Sequence, residues 1–84
     1  MILYFINGSH QRKLLLESDY VDDLYDMLIG FFEEHGKYPH FLKLERLSDN
    51  CEIHFESSSE YFMLEGADDE QVNEFSEFVD EFNQ

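Results

Sequence analysis

An α+β fold in the order ββαβββα is predicted for this chain of 84 residues, read as one domain over residues 1–84. Three observations predict it. Apolar and polar residues alternate with period two through Cys51–Glu56 and, around Leu42 and Leu44, in Phe41–Leu47, and Tyr61–Glu65 is a further short strand-forming run. Apolar residues recur at three- and four-residue steps through Tyr20–His35 and again through the tail, Asp68–Gln84. Turn-forming residues separate the short segments: Asn7-Gly8, Ser48-Asp49-Asn50 and Ser57–Glu60. The expected architecture is an antiparallel sheet of about five strands with two amphipathic helices packed on one face.

Taken in order, Met1–Ile6 is apolar on both faces, which predicts a central strand. Asn7-Gly8 suits a two-residue type I′ turn, because both residues tolerate positive φ. That turn would set Ile6 opposite Ser9 and Ile2 opposite Lys13, with the return strand along Ser9–Leu16. Ser18 or Asp19 is placed to cap the first helix. Its apolar arc (Val21, Leu24, Tyr25, Met27, Leu28, Ile29, Phe31, Phe32) is wide enough to touch more than one element or to serve an oligomer contact. Gly30 falls on its polar face. Gly36 can end the helix in the left-handed region, and Pro39 prevents a restart. In the following strands Leu42, Leu44, Cys51, Ile53, Phe55, Phe62 and Leu64 are expected inward. Lys43, Glu45, Glu52, His54 and Glu56 are expected on a wet outer face. Asp68 is placed to cap the last helix, with Gln71 three residues on as a capping-box partner. That helix turns Val72, Phe75, Phe78, Val79 and Phe82 inward.

Hydrophobic residues make up 43% of the chain and aromatics 17%, a composition that folds and does not resemble a disordered acidic tail. The formal net charge is -15. Its distribution is uneven: the five bases (Arg12, Lys13, Lys37, Lys43, Arg46) precede Leu47, and the twelve acids that follow meet no Lys or Arg. Direct nucleic-acid binding and anionic membranes are disfavoured by such a balance, whereas a basic protein surface, a polycation or a divalent ion is favoured. The opening MILYFIN is too short for a signal peptide or a membrane span. The single cysteine, Cys51, allows no internal disulfide and fits a cytoplasmic protein.

No Gly-rich phosphate loop, HExxH, GxSxG or paired-cysteine zinc pattern is present, so no catalytic residue, cofactor or metal ligand set is assigned. Cys51 and His54 are three apart on one strand and point to opposite faces. Glu33, Glu34, His35 and His40 lack a recognised ligand spacing and read as surface polar residues. Asp19, Asp22, Asp23 and Asp26 lack the looped geometry of a calcium site.

The acidic helix faces carry the functional expectation. Glu70, Glu74, Glu77 and Glu81 form a stripe on the last helix, roughly 16 Å long at ~1.5 Å of rise per residue. No base sits at helical spacing to them, so the stabilisation that Glu–Lys pairs supply is forgone. Asp80 and Glu81 occupy the last turn, where the helix dipole disfavours anions. Asp22, Asp26 and Glu33 present a second such face on the first helix. Duplex DNA is likewise a dense line of negative charge held by Lys and Arg. Ordered carboxylates, with Tyr20, Tyr38 and Tyr61 as exposed anchors, can occupy the same basic cleft.

In size, single-domain character and charge the chain resembles the small acidic DNA-mimic inhibitors encoded by phages. These include anti-CRISPR proteins and inhibitors of DNA repair or restriction enzymes. That resemblance implies a non-enzymatic blocker of a basic nucleic-acid-binding protein, acting in the host-cell cytoplasm. It transfers no individual residue. The alternative expectation is a small homo-oligomeric phage structural or adaptor protein, a homodimer in its simplest form, supported by the aromatic content and the wide apolar arc.

Overall fold

A computed structural model describes residues 1–36, 38–56 and 59–84. Five strands, β1 (Ile2–Ile6), β2 (Arg12–Glu17), β3 (Leu42–Arg46), β4 (Asn50–Phe55) and β5 (Tyr61–Glu65), join α1 (Val21–Glu34) and α2 (Asp69–Phe82) in the order ββαβββα. The strands form one antiparallel sheet ordered β2-β1-β5-β4-β3. The fold is therefore the expected α+β class. α1 carries the chain from one sheet edge to the other, and β5 then inserts between β4 and β1. The doubly apolar β1 is flanked on both sides, as its sequence predicts.

Both helices pack on one face of the sheet. The core joins Leu3, Leu42, Cys51, Ile53, Phe62 and Leu64 from the strands to Val21, Leu24, Leu28, Phe32, Val72, Phe75 and Val79 from the helices. Every strand residue in that set belongs to one alternation phase, so the pleat decides which side chains are covered. The wide arc of α1 is used within the fold: Tyr25, Met27, Ile29 and Phe31 all pack against this core. Tyr25 stacks on Phe78 of α2 at 4.8 Å, and Phe31 lies 4.4 Å from Phe5 of β1.

The hairpin forms, but its register differs from the expected one. Ile6 pairs with Arg12 and Ile2 with Glu17, with an irregularity between Leu3 and Tyr4. The reason lies in Asn7. Its side-chain Oδ1 accepts from the backbone N–H groups of Ser9 (2.9 Å) and Gln11 (3.0 Å), while His10 N–H donates to the Asn7 carbonyl at 2.9 Å. Asn7 thus organises a three-residue loop, and His10 takes the left-handed position at φ 61° where the two-residue turn would have used Asn7 and Gly8. The bulge in β2 then adds a further residue to the offset.

The start of α1 also differs from expectation. Tyr20 occupies the N-cap position with no side-chain cap. The Ser18 hydroxyl instead accepts from Tyr20 N–H (3.0 Å) and donates to Asp23 (3.1 Å), bracing the entry turn. At the other end Gly36 is left-handed at φ 68°, as expected, and His35 Nδ1 lies 2.8 Å from the Phe31 carbonyl. α2 has the predicted capping box: Asp68 accepts from Gln71 N–H at 2.8 Å, and Gln71 accepts from Asp68 N–H at 2.9 Å. Asn83 ties the end of α2 to β3 by accepting from Leu42 N–H (2.7 Å) and donating to its carbonyl (2.8 Å). Of the expected Ser57–Glu60 turn, Ser57 and Ser58 lie outside the described residues, as does Lys37.

The uncovered face of the sheet is only half wet. Its β3–β4 side carries Lys43, Glu45, Glu52 and His54, as predicted. Its β1–β2–β5 side carries Ile2, Tyr4, Leu14, Tyr61 and the buried Met63, with Leu14 55% exposed and Arg12 lying over Tyr4 toward Glu65. Glu56 has left the strand, at φ 55°, and accepts from His40 N–H at 2.9 Å. Among the described residues no helix is long and apolar enough to cross a membrane.

Candidate acidic binding surface

α1 and α2 lie side by side and point the same way. The start of α1 adjoins the first turns of α2 across a groove lined by Asp19, Tyr20, Asp22, Asp23, Gln71 and Glu74. Further along, a second groove is lined by Tyr25, Asp26, Ile29, Gly30, Glu33, Tyr38 and Phe82. This arrangement follows from the sequence pattern. Each helix turns one apolar stripe to the sheet and spends its flank, Tyr25 on α1 and Phe78 on α2, against the other helix. The polar stripes are left outward.

All seven predicted residues, Asp22, Asp26, Glu33, Glu70, Glu74, Glu77 and Glu81, are exposed. Five of them meet along the seam between the helices. Asp22 and Glu74 face one groove, and Asp26 and Glu33 the other. Asp26 and Glu81 lie close enough to Tyr25 that both act on its phenol. That phenol is held above its ordinary value, first by burial and then by the carboxylates of Glu81 and Asp26. One side chain therefore senses acids from both helices. Glu70 and Glu77 continue the exposed stripe of α2.

None of these seven carboxylates has a Lys or Arg within 4.0 Å among the described residues; the ion pairs there involve Glu65, Asp69, Glu45 and Glu52. Glu33 departs from the expected bareness: it accepts a hydrogen bond from the Tyr38 hydroxyl at 2.7 Å, which raises the Tyr38 phenol. Tyr20 is 69% exposed and Tyr38 55%, as expected of contact residues. Tyr61 is not such a residue. It is half-buried on the other face of the sheet, stacked on His54 at 4.9 Å. The sequence reading missed Asp19 and Asp23 as members of the seam, because only the packing of α1 beside Gln71 and Glu74 brings them to it.

Other sequence candidates fall apart in space. Cys51 is 2% exposed within the core, and burial raises its thiol, while His54 lies on the opposite face. His35 and Glu33 are engaged by Phe31 and Tyr38, and His40 lies by Glu56. Glu33, Glu34, His35 and His40 do not converge as a ligand set. Comparison with known protein families, with curated proteins and with solved structures gives no match.

Proposed function

We propose that this protein is a non-enzymatic inhibitor that occupies a basic nucleic-acid-binding surface of a target protein, such as a CRISPR effector or a DNA-processing enzyme, in the host-cell cytoplasm. The supporting observation is the helical layer: α1 and α2 hold eleven of the twenty acids and no Lys or Arg, and their acidic stripes run beside one another along a shared seam. Such a surface presents negative charge from two parallel ridges on a rigid support, which steers it to a basic cleft and releases counterions on docking. Tyr20 and Tyr38, exposed at the two ends of the seam, supply contacts with direction.

The test is a capture experiment from host lysate at low and high salt, followed by reversal of Glu70, Glu74, Glu77 and Glu81 to Lys. Nucleic-acid-handling proteins should be retained at low salt, released at high salt, and lost by the reversed protein while its circular dichroism is unchanged. Equal retention by the folded, reversed protein defeats the proposal.

A second reading, self-association, is favoured by a different observation. Leu14, 55% exposed, and the half-buried Ile2 and Tyr4 present apolar area on the uncovered sheet face, next to the outer edge of β2, with Met63 buried among them. Light scattering decides it: dimers that Leu14→Glu dissociates support this reading, and a monomer at millimolar concentration eliminates it.

A further inference from the structure

The β3–β4 half of the uncovered face holds a group of side chains with no part in the helical seam. Glu52 and His54 are two apart on β4, so the pleat turns both outward, about 6.6–7 Å apart along the strand. Glu45 of β3 is the direct cross-strand partner of Glu52. His54 Nε2 lies 3.0 Å from a Glu52 oxygen and 3.7 Å from a Glu45 oxygen. One ligand atom from each of the three residues falls within 4.8 Å of the others, and no other His/Cys/Asp/Glu group among the described residues meets this spacing.

Several features set this group apart from an ordinary polar surface. Two carboxylates directly opposite one another on paired strands repel and weaken the pairing. No Lys or Arg lies within 4.0 Å of either carboxylate among the described residues. The His54 ring is held in place by stacking on Tyr61, with 21° between the ring planes. The ligands are therefore carried by two hydrogen-bonded strands and a packed ring, which fixes them better than a loop would.

The geometry points to a site for a divalent transition-metal ion, Zn²⁺ in the first instance, bound by His54 Nε2 and one oxygen each of Glu45 and Glu52. An ion about 2.0–2.2 Å from each of three tetrahedral ligands leaves them about 3.4 Å apart, which the two separations from His54, 3.0 and 3.7 Å, bracket. The imidazole selects against Mg²⁺ and Ca²⁺, which take oxygen ligands. Binding takes the place of the contact between His54 Nε2 and Glu52 and removes the repulsion between Glu45 and Glu52. A fourth position faces solvent and takes water. Lys43, the cross-strand partner of His54, shares this face and opposes the ion by its charge.

Calorimetric titration of the full chain with Zn²⁺ in chelator-free buffer at neutral pH tests the site. One equivalent should bind, with the His54 ring nitrogens shifting in the NMR spectrum while those of His10, His35 and His40 stay in place. His54→Asn and Glu52→Gln should each weaken binding at least ~10-fold, the scale reached even by outer-shell changes. Lys43→Gln should tighten it, and excess Ca²⁺ should not displace the ion. Absence of a stoichiometric site overturns the proposal. So do many weak sites spread over the acidic surface without a His54 shift, or undiminished binding by His54→Asn. The NMR readout on the unaltered protein keeps the test decisive if a variant fails to fold.

Discussion

Every Lys and Arg among the described residues, Arg12, Lys13, Lys43 and Arg46, lies on β2 or β3, the two outer strands, whereas α1 and α2 carry eleven acids and neither base. On the sheet, charge has local work in the fold. Arg12 lies over the Tyr4 ring at 4.9 Å and pairs with Glu65 at 3.9 Å. Arg46 reaches Asp69 at 3.5 Å and Asn73 at 3.1 Å. Bases on outer strands also discourage edge-to-edge pairing with another chain. In the helical layer Asp69 meets Arg46, and Asp23 and Glu33 accept from Ser18 and Tyr38, but the two helices hold no base of their own. Its carboxylates repel one another, and both helices end without a base in the last turn. The difference teaches that a net charge of -15 is a property of one layer more than of the whole molecule.

The largest effect comes from removing what the two layers share. Phe75 is fully buried beneath Tyr25, so Phe75→Ala should lower stability by about 3–5 kcal/mol in urea unfolding. Changes at the helix starts are smaller and opposite in sign. Asp68→Ala removes half of the capping box of α2 and should cost about 1 kcal/mol. Tyr20→Ser supplies the side-chain cap that α1 lacks and should gain up to about 1 kcal/mol. The same change should weaken target capture, because it deletes an exposed anchor of the seam. Gain in stability together with undiminished capture would remove Tyr20 from the binding surface. Gly30→Ala belongs with these: an added Cβ meets nothing within 4 Å, and stability should rise by about 0.5–1 kcal/mol. At the end of α2, Asp80→Lys should gain about 0.3–1 kcal/mol by relieving the dipole, an effect that salt should shrink.

The finest test uses Tyr25 as a probe of the field between the helices. Its raised phenol keeps a proton in the folded protein that the unfolded chain loses near its ordinary value of 10.0. The stability this confers is complete below that pH and is lost as pH rises through the folded value. Glu81→Lys should bring the phenol down in an alkaline spectrophotometric titration, and Tyr25→Phe should reduce the alkaline loss of stability. An unmoved phenol in the Glu81 variant would separate the two stripes.

Local periodicity and turn chemistry carried much of the fold. Cys51, Ile53, Phe62 and Leu64 alternate in sequence and are buried in the structure. Asp68 and Gln71 form the capping box their spacing announces. Asn7 shows the limit of such reading: Asn-Gly permits a left-handed turn, yet the Asn side chain organised a different loop and moved the register of β2. For the acidic surface, each stripe was legible because helical spacing is local. The meeting of Asp22 with Glu74, and of Asp26 with Glu81 about Tyr25, was not. The Glu45–Glu52–His54 group was half legible: Glu-x-His on a strand places two ligands on one face, but Glu45 joins them only through the β3–β4 register.

By itself, then, the sequence determined the element order, the inward faces of β3, β4, β5 and both helices, and the concentration of acid on two helical stripes. These depend on steps of two, three or four residues, over which backbone geometry alone fixes which side chains share a face. Only the tertiary structure decided that β5 lies between β1 and β4, pairing Leu3 with Leu64 and Leu64 with Cys51. It alone set α1 beside α2 with their acids along one seam. Contacts between distant segments follow from which apolar faces can be buried together in one core. No local pattern states that choice.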